Sequence, residues 1–315
     1  VKMLPFDNKN EFQVVIDMPE GTTLERTAGV TSEIAQYLAG VPEVVNYQTY
    51  AGTSAPITFN GLVRHYDLRG GSNMADIQVN LLHKEHRSHD SHEIATRVRP
   101  EVQRIAKKYN ANVKIVEVPP GPPVLSTLVA EVYGPDYGEQ IKVAQQVKTI
   151  LENTQDVVDI DLYVEAGQTE YKLDVDKEKA MMYGIVPQQV VGNLTYLIGQ
   201  HSISTLYDEY AENPVDIVMQ LEDKEQAGID LVQNLKIRGM QGNMVPVSDI
   251  VKVREDTLQS TIYRKDQKRV VYVLADMAGE LESPAYAILG MTEKLQQMKL
   301  PAGYSKLKNM DVFKP

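Results

Sequence analysis

The hydrophobic period of this chain changes repeatedly, and in the same order each time. Residues 11–18 (EFQVVIDM) are an apolar, β-branched run of strand length. Pro19, Glu20 and Gly21 end it. Thr22, with Glu25 three residues on, reads as a capping box opening a helix. Val30, Ile34, Tyr37 and Leu38 carry that helix until Gly40, Val41 and Pro42 stop it. A second strand is expected over 44–50. The polar, glycine-containing stretch 51–73 is too long for a hairpin turn and is expected to be a functional or partly structured loop. Residues 74–82 resume a strand, and Asp90 with Glu93 offers another box. Ile94, Val98, Val102, Ile105 and Tyr109 form a second helical stripe, in which Pro100 predicts a kink or a broken start. A strand over 113–118 closes the series. A β-α-β pair repeated in this way is the ferredoxin-like pattern, an α+β fold. Right-handed crossovers put both helices on one face of a four-stranded sheet.

Pro119, Pro120, Gly121, Pro122 and Pro123 cannot occupy a helix or a central strand, so they mark a stiff boundary. The pattern then begins again. A strand over 128–133 is followed by Asp136 and Glu139 as a cap, a stripe of Ile141, Ala144, Val147 and Leu151, and a strand over 157–164. The partner half comes much later. It has Val270–Ala275 as strand, Ser283 and Pro284 as N-cap and first helical residue, and Ile288, Met291, Leu295 and Met298 as stripe. A weak last strand is expected over 304–310. The economical account is a second ferredoxin-like unit with a domain inserted between its halves. This makes 1–123 the first subdomain, 124–167 with 268–315 the second, and 168–267 an inserted mixed α/β subdomain. Within the insert, strands are expected over 171–175, 215–221 and 244–253, and helices over 177–183 and 187–198. A tight turn is expected at Gly239–Asn243.

Composition narrows the function. The longest apolar run, Val270–Ala275, is far short of the roughly 20 residues a membrane helix needs. Acids outnumber Lys plus Arg by 43 to 32, a net charge of −11 that lacks the electrostatic footprint of a nucleic-acid binder. The absence of cysteine removes thiolate chemistry, disulfides and Cys-ligated zinc, and leaves the redox compartment open. The chain starts without Met and without a signal-peptide pattern, so it is expected to be a piece of a longer protein. No G-x-S-x-G, H-E-x-x-H, Walker or G-x-G-x-x-G motif occurs, and neither an enzyme nor a cofactor is expected.

Three groups of side chains invite a functional reading. His83, His86, His89 and His92 recur every three residues, a weak candidate for a metal or pH-sensitive site, and Lys84, Glu85, Arg87 and Asp90 interleave with them as on a solvated loop. Twelve methionines offer thioethers to soft metals, although most, such as Met291 and Met298, fall on helix stripes. Tyr47 and Tyr50 end the second strand beside the long loop. Three residues apart, they point to opposite faces of a strand.

Several strings together resemble one family. EFQVVIDMPEGTTLERT, LVAEVYGP, DVDKEKAMMYGIVPQQV and GNMVPVSDIVKV are similar to the second periplasmic loop of resistance-nodulation-division (RND) efflux permeases. The run Asp176 to Ile185 matches the characteristic D-x-x-K-A-x-x-x-G-[IV] string. The resemblance implies two ferredoxin-like porter subdomains with a docking subdomain inserted in the second. It also implies an inner-membrane, proton-driven antiporter working as a trimer, of which this segment lies in the periplasm. The trimer would hand a small solute to a periplasmic adaptor and an outer-membrane channel, while the isolated fragment is expected to be monomeric and to bind no nucleic acid. The implied solute cleft lies between the porter subdomains. It would involve Tyr47, Tyr50, Met74, Val124 and Leu125, and Met240, Gln241, Gly242 and Asn243 would form a docking tip. Thr53 and Ala55 stand where drug-binding members have aromatics, which argues against a large aromatic trap and implies a different substrate range. Val15 and Val124 stand where the heavy-metal branch has methionines, which disfavours soft-metal export. Hydrophobic or amphiphilic solutes are the leading expectation. Heavy-metal cations are the alternative, and a freestanding periplasmic binding or adaptor protein is a third.

Overall fold

The computed structural model describes residues 7–57, 59–118, 124–198, 201–219, 229–279 and 282–304. The first sheet is formed by β1 (Glu11–Asp17), β2 (Val44–Thr53), β3 (Gly70–Leu81) and β4 (Asn112–Val116), in the order β2-β3-β1-β4 and antiparallel throughout. That is the ferredoxin-like order. Helices α1 (Leu24–Ala39) and α3 (Ser91–Lys108) cover one face. Val14 lies opposite Ile77 on one side and Ile115 on the other, and all three are buried with Ile34, Leu38, Ile94 and Val98. β1 reads as an unbroken apolar run because its other face is covered too. There Val15 packs with Tyr66 and Val116.

The stretch expected as a long loop is shorter and more ordered than the sequence implies. β2 extends to Thr53 and β3 starts at Gly70. Between them come α2 (Phe59–Arg64) and a 3₁₀ turn, Tyr66–Leu68, which together supply the cover over that second face. The expected box at Thr22 and Glu25 is not formed. Thr22 Oγ1 donates to the Pro19 carbonyl at 2.6 Å, and Thr23 takes the cap position without a side-chain bond. At α3 the expected box is present, with Glu93 N donating to Asp90 Oδ1 at 2.8 Å and Asp90 N to Glu93 Oε2 at 3.1 Å. Pro100 does not break α3. It is exposed, so its missing N–H faces water, while Val98 and Val102 on either side stay in the core.

The second half of the pattern uses β5 (Leu128–Val132), α4 (Tyr137–Glu152) and β6 (Val157–Leu162) before the chain enters the insert. The insert contains β7 (Thr169–Val175), α5 (Lys177–Met182), α6 (Pro187–Ile198), β8 (His201–Leu206), β9 (Val215–Met219), α7 (Ile229–Asn234), β10 (Lys236–Arg238), β11 (Met244–Pro246), α8 (Val247–Ile250) and β12 (Val251–Thr257). Its core is Ala180, Ile185, Val190, Ile237, Val245 and Ile250. The strand expected over 244–253 is split by the single turn α8. Pro246 has no N–H to give a ladder and caps that turn instead. β12 then pairs with β7, from Val251 opposite Val175 to Thr257 opposite Thr169. The strand expected over 215–221 is described as far as Met219, and its partner β8 carries no strong sequence signal.

The chain returns through β13 (Arg264–Lys265), β14 (Lys268–Arg269), β15 (Val271–Met277) and α9 (Pro284–Gln297). β5, β15 and β6 form a sheet in that order, the same 1-3-2 arrangement as in the first half. Residues 305–310, where a fourth strand is expected, lie outside the described residues, as do the five linker residues 119–123. The compact units are Gly167–Gln259 on the one hand and the rest of the chain on the other. The insert therefore ends at 259 and not at 267. Residues 260–269 go with the larger unit, in which β13 and β14 pair as a separate hairpin: the Tyr263 ring packs on Tyr163 and Tyr272, with centroids 5.4 and 6.3 Å apart, and the Tyr263 carbonyl accepts from Val270 N at 3.1 Å.

Candidate functional site: the junction between the two sheets

Within the larger unit, the first half (β1–β4, α1–α3) meets the second (β5, β6, β15, α4, α9) where β4 faces β6. Four ion pairs cross this junction, and all run the same way. The first half supplies cations, and the second supplies carboxylates. Arg64, at the end of α2, donates to Asp276 on β15 at 2.7 Å. Arg99 on α3 pairs with Asp159 on β6. Lys114 on β4 pairs with Asp161 on β6. His92 on α3 is 2.5 Å from Glu282 and also 2.8 Å from Glu117 of its own half. Such one-way complementarity orients two surfaces and excludes other pairings.

Local structure explains how each acid reaches across. Val158 opposes Asp276 and Asp161 opposes Leu274, so two residues of β6 face one of β15. This is a β-bulge, and within it Asp159 holds the left-handed value φ 52°. The bulge lets Asp159 accept from Ile115 N at 3.2 Å besides pairing with Arg99, while Asp161 accepts from Asn112 Nδ2 at 3.3 Å. Asp276 is held by its own half. Ser126 Oγ, Thr127 N and Thr127 Oγ1 donate to it at 2.9, 2.9 and 2.8 Å. Burial alone pushes the Asp276 carboxyl up, but Arg64 and these donors outweigh it and hold it at about 2. Burial likewise disfavours charge on Lys114, yet Asp161 and Asp17 raise it well above the ordinary lysine range.

The His92 pair has a testable pH signature. Burial pulls this imidazole down, but Glu117 and Glu282 push it up from 6.5 to about 9. A group raised on folding stabilises fully below its unfolded value, and that contribution fades as pH climbs through the folded one. Comparison of urea midpoints for the wild type and His92→Gln should therefore show a constant gap below pH 6.5 that vanishes as pH rises through about 9. A gap that grows with pH contradicts the assignment.

The junction is shut. Its cavity, lined by Tyr66, Leu125, Ser126, Tyr163 and Leu274 besides the charged groups, is about 10 Å³, room for one water. Solute sites measure roughly 300–1,000 Å³. Among the described residues, this cavity is bridged by the four ion pairs and is not an open groove.

Of the residues singled out from the sequence, Leu125 lines this cavity, and Val124 beside it is 45% exposed. Met74 sits on β3 directly opposite Asp17, one residue pair from the charged network. Tyr47 and Tyr50 lie on β2, at the far edge of the sheet from β4, and the structure does not bring them to the junction. The Tyr50 hydroxyl donates to Gln48 on the same strand at 2.6 Å. The histidine run diverges. His83 and His86 flank a 3₁₀ turn with rings 6.2 Å apart, His89 turns to Glu93 at 3.3 Å, and only His92 is drawn inward. Among the described residues, no three His, Cys, Asp or Glu side chains are grouped to hold a metal. Met240, Gln241, Gly242 and Asn243 form the tip between β10 and β11, with Gly239 N donating to the Asn243 carbonyl at 2.8 Å. Gly184, at φ 70°, lets the end of α5 approach Met240. Among the described residues, five methionines (Met181, Met182, Met219, Met240 and Met244) are exposed on this unit.

Sequence reasoning missed the ion pairs themselves. Their signal is a single charge inside an apolar strand: Asp17 in VVID, Lys114 in NVKIV, Asp159 and Asp161 in VVDIDL, and Asp276 in VLADM. Such a charge is rarely buried without a partner.

The larger unit thus holds two ferredoxin-like units, the second split by an insert, that meet at an ionic junction. The profile of the AcrB/AcrD/AcrF family matches residues 1–308, and the chain belongs to that family of RND efflux transporters, which are not enzymes. It is 24% identical over 152 residues to the swarming motility protein SwrC of Bacillus subtilis, covering 48% of this chain and 14% of that protein. It is 20% identical over 186 residues to the cobalt-zinc-cadmium resistance protein CzcA of Cupriavidus metallidurans, covering 58% and 17%. The chain thus spans about a sixth of the length of these relatives. Two crystal forms of a heavy metal efflux pump share its fold. One has TM-score 0.70 at 17% identity and covers 93% of this chain and 29% of the pump. The other has TM-score 0.69 at 16% identity and covers 96% and 31%. Among the described residues no helix is long and apolar enough to cross a membrane.

Proposed function

We propose that this chain is the periplasmic porter-and-docking portion of an inner-membrane, proton-driven RND antiporter, and that the ionic junction is a gate for hydrophobic or amphiphilic solutes. The observation that carries this reading is the junction itself. Its walls combine apolar and phenolic surface (Leu125, Leu274, Tyr66, Tyr163) with charges that pair across it. A solute with an apolar body and a charged head can take the place of one partner as the walls part. In the assembled trimer, the solute then passes toward an adaptor and an outer-membrane channel, with Met240, Gln241, Gly242 and Asn243 as docking tip. Tyr47 and Tyr50 are reserved for a solute wall completed by parts of the permease beyond this chain.

Heavy-metal cations are the second reading, favoured by the names of two relatives and by the carboxylates of the second wall. Soft metals are less suited, because Met74 has Val15 and Val124 where further thioethers would be needed.

This chain has no cysteine of its own, so a disulfide placed across the junction provides the test once any cysteines elsewhere in the permease are replaced by serine. Asn112→Cys with Asp161→Cys places thiols across the junction, where the native side chains approach to 3.3 Å. In cells carrying the full-length permease, oxidation should abolish efflux of an amphiphilic dye, and reductant should restore it. Dye efflux indifferent to the crosslink removes the gate, and loss of zinc or cobalt tolerance with unchanged dye efflux transfers the reading to cations.

A further inference from the structure

Five charged side chains form one alternating row into the junction. Arg69 Nε lies 3.4 Å from Asp76 Oδ1, and Arg69 Nη1 lies 2.5 Å from Asp17 Oδ1. Lys114 Nζ lies 3.0 Å from Asp17 Oδ2 and pairs with Asp161. The order is therefore Asp76, Arg69, Asp17, Lys114, Asp161, three carboxylates against two cations. The neighbouring pairs Arg64–Asp276 and Arg99–Asp159 are one to one. Asp76 closes the row at its inner end and is only 1% exposed. Its Oδ2 accepts from Ala55 N at 2.8 Å, while its Oδ1 has only the long, poorly aligned approach of Arg69 Nε among the described residues. A surplus carboxylate this deep in the protein is neutralised rather than held as an uncompensated charge.

We propose that Asp76 is a proton-binding site, filled when the two halves meet and emptied when they part. This rests on the reading of the junction as a gate. With the halves apart, Asp161 returns to water, and Asp76 and Asp17 face Arg69 and Lys114, two against two. When the halves meet, Asp161 claims part of the Lys114 charge. Asp17 then leans on Arg69, and Asp76 loses the cation that balanced it. A carboxylate oxygen of Asp76 takes a proton from solvent, one O–H bond forming and no other bond breaking. The groups facing Asp76 are Arg69 and Asp17, with Lys114 one step further along the row. Burial raises the Asp76 carboxyl above 3.8, and Asp17 adds to it, while Arg69 and the Ala55 N–H oppose. Asp17 moves the other way. Burial would raise it, but Lys114 and Arg69 hold it down. Protonation of Asp76 therefore favours the shut junction. Asp159 is also raised by burial, but it sits in a balanced pair and belongs to a different row.

Two readouts on the 315-residue chain separate this site from the gate itself. Aspartate-selective ¹³C labelling, with the Asp76 resonance assigned by its loss in Asp76→Asn, gives the titration midpoint directly. The midpoint is expected above 3.8 and is expected to fall in Asp161→Asn, which leaves the row balanced. Spin labels at Lys107→Cys on α3 and Gln146→Cys on α4, both exposed, report the separation of the halves. A longer distance should grow in as pH rises through the Asp76 midpoint, and Asp76→Asn should abolish that dependence. A midpoint at or below 3.8, or one unmoved by Asp161→Asn, overturns the proton site. A raised, Asp161-dependent midpoint with a label distance that never changes upholds the site and overturns the gate.

Discussion

Asp276→Ala should be the most damaging single change at the junction, with a loss of about 3–5 kcal/mol, the usual cost of removing one partner from a buried ion pair. Arg64 is left 6% exposed with no carboxylate. The donors Ser126 Oγ, Thr127 N and Thr127 Oγ1 lose their acceptor at the same time. Ser126 Oγ keeps a second partner, the Ala275 carbonyl at 2.8 Å, so the loss falls mainly on Arg64 and Thr127. Urea unfolding of the two chains measures the difference. Asp276→Asn should recover part of the loss by keeping an acceptor for Thr127 while still leaving Arg64 unpaired. A decrease below about 1 kcal/mol for the alanine variant, the level of an exposed salt bridge, would mean that solvent already reaches the pair.

Lys114→Ala is expected to cost a similar amount, by a different route. Lys114 is 5% exposed and, among the described residues, is the cation that bridges Asp17 and Asp161. Its removal leaves two carboxylates facing each other across the junction, with Arg69 reaching Asp17 alone. The chain should lose about 3–5 kcal/mol near neutral pH. It should recover as acid protonates the orphaned carboxylates, since each is then neutral and the repulsion is gone. The combination Asp17→Asn, Lys114→Met and Asp161→Asn removes every charge of that segment. It should restore stability to within about 1 kcal/mol of the starting protein, because replacing a buried ionic group by neutral groups of similar size is often neutral or better. The comparison of single and triple variants by urea unfolding at pH 7 and pH 4 separates the worth of the network from the penalty of breaking it. Equal losses at both pH values would show that packing around the Lys114 stem, and not its charge, holds the strand.

The ferredoxin-like pattern was legible because each of its signals is local. The alternation of β-branched runs with stripes such as Ile94, Val98, Val102 and Ile105 depends only on backbone periods, and the Asp90–Glu93 box lies within one turn of its helix. The segment 51–73 was misread for the opposite reason. Its polar, glycine-containing composition describes the surface it presents to solvent, whereas Tyr66 and Arg64 within it are buried by sheet residues distant in sequence. Thr22 is not the cap because the helix starts one residue later, with Thr23 at the cap position and the Thr22 hydroxyl turned back to donate to the Pro19 carbonyl. The histidine run gave the clearest pattern and the least assembly. A spacing of three converges only if one helix type persists, and here a 3₁₀ turn gives way to an extended segment and then to α3.

By itself, the sequence determined the kind of protein this is. Strand and helix periods, cap residues, the proline-rich linker and the Asp176–Ile185 string all act over a few residues, and they suffice to specify two repeated α+β units and their family. Only the tertiary structure decided which side chains meet between those units. The partners of Arg64, Arg99 and Lys114 lie 212, 60 and 47 residues away along the chain. Their pairing depends on a bulge in β6 and on the angle at which two sheets are brought together. A single charge in an apolar strand announces that it needs a partner, and only the folded chain supplies one.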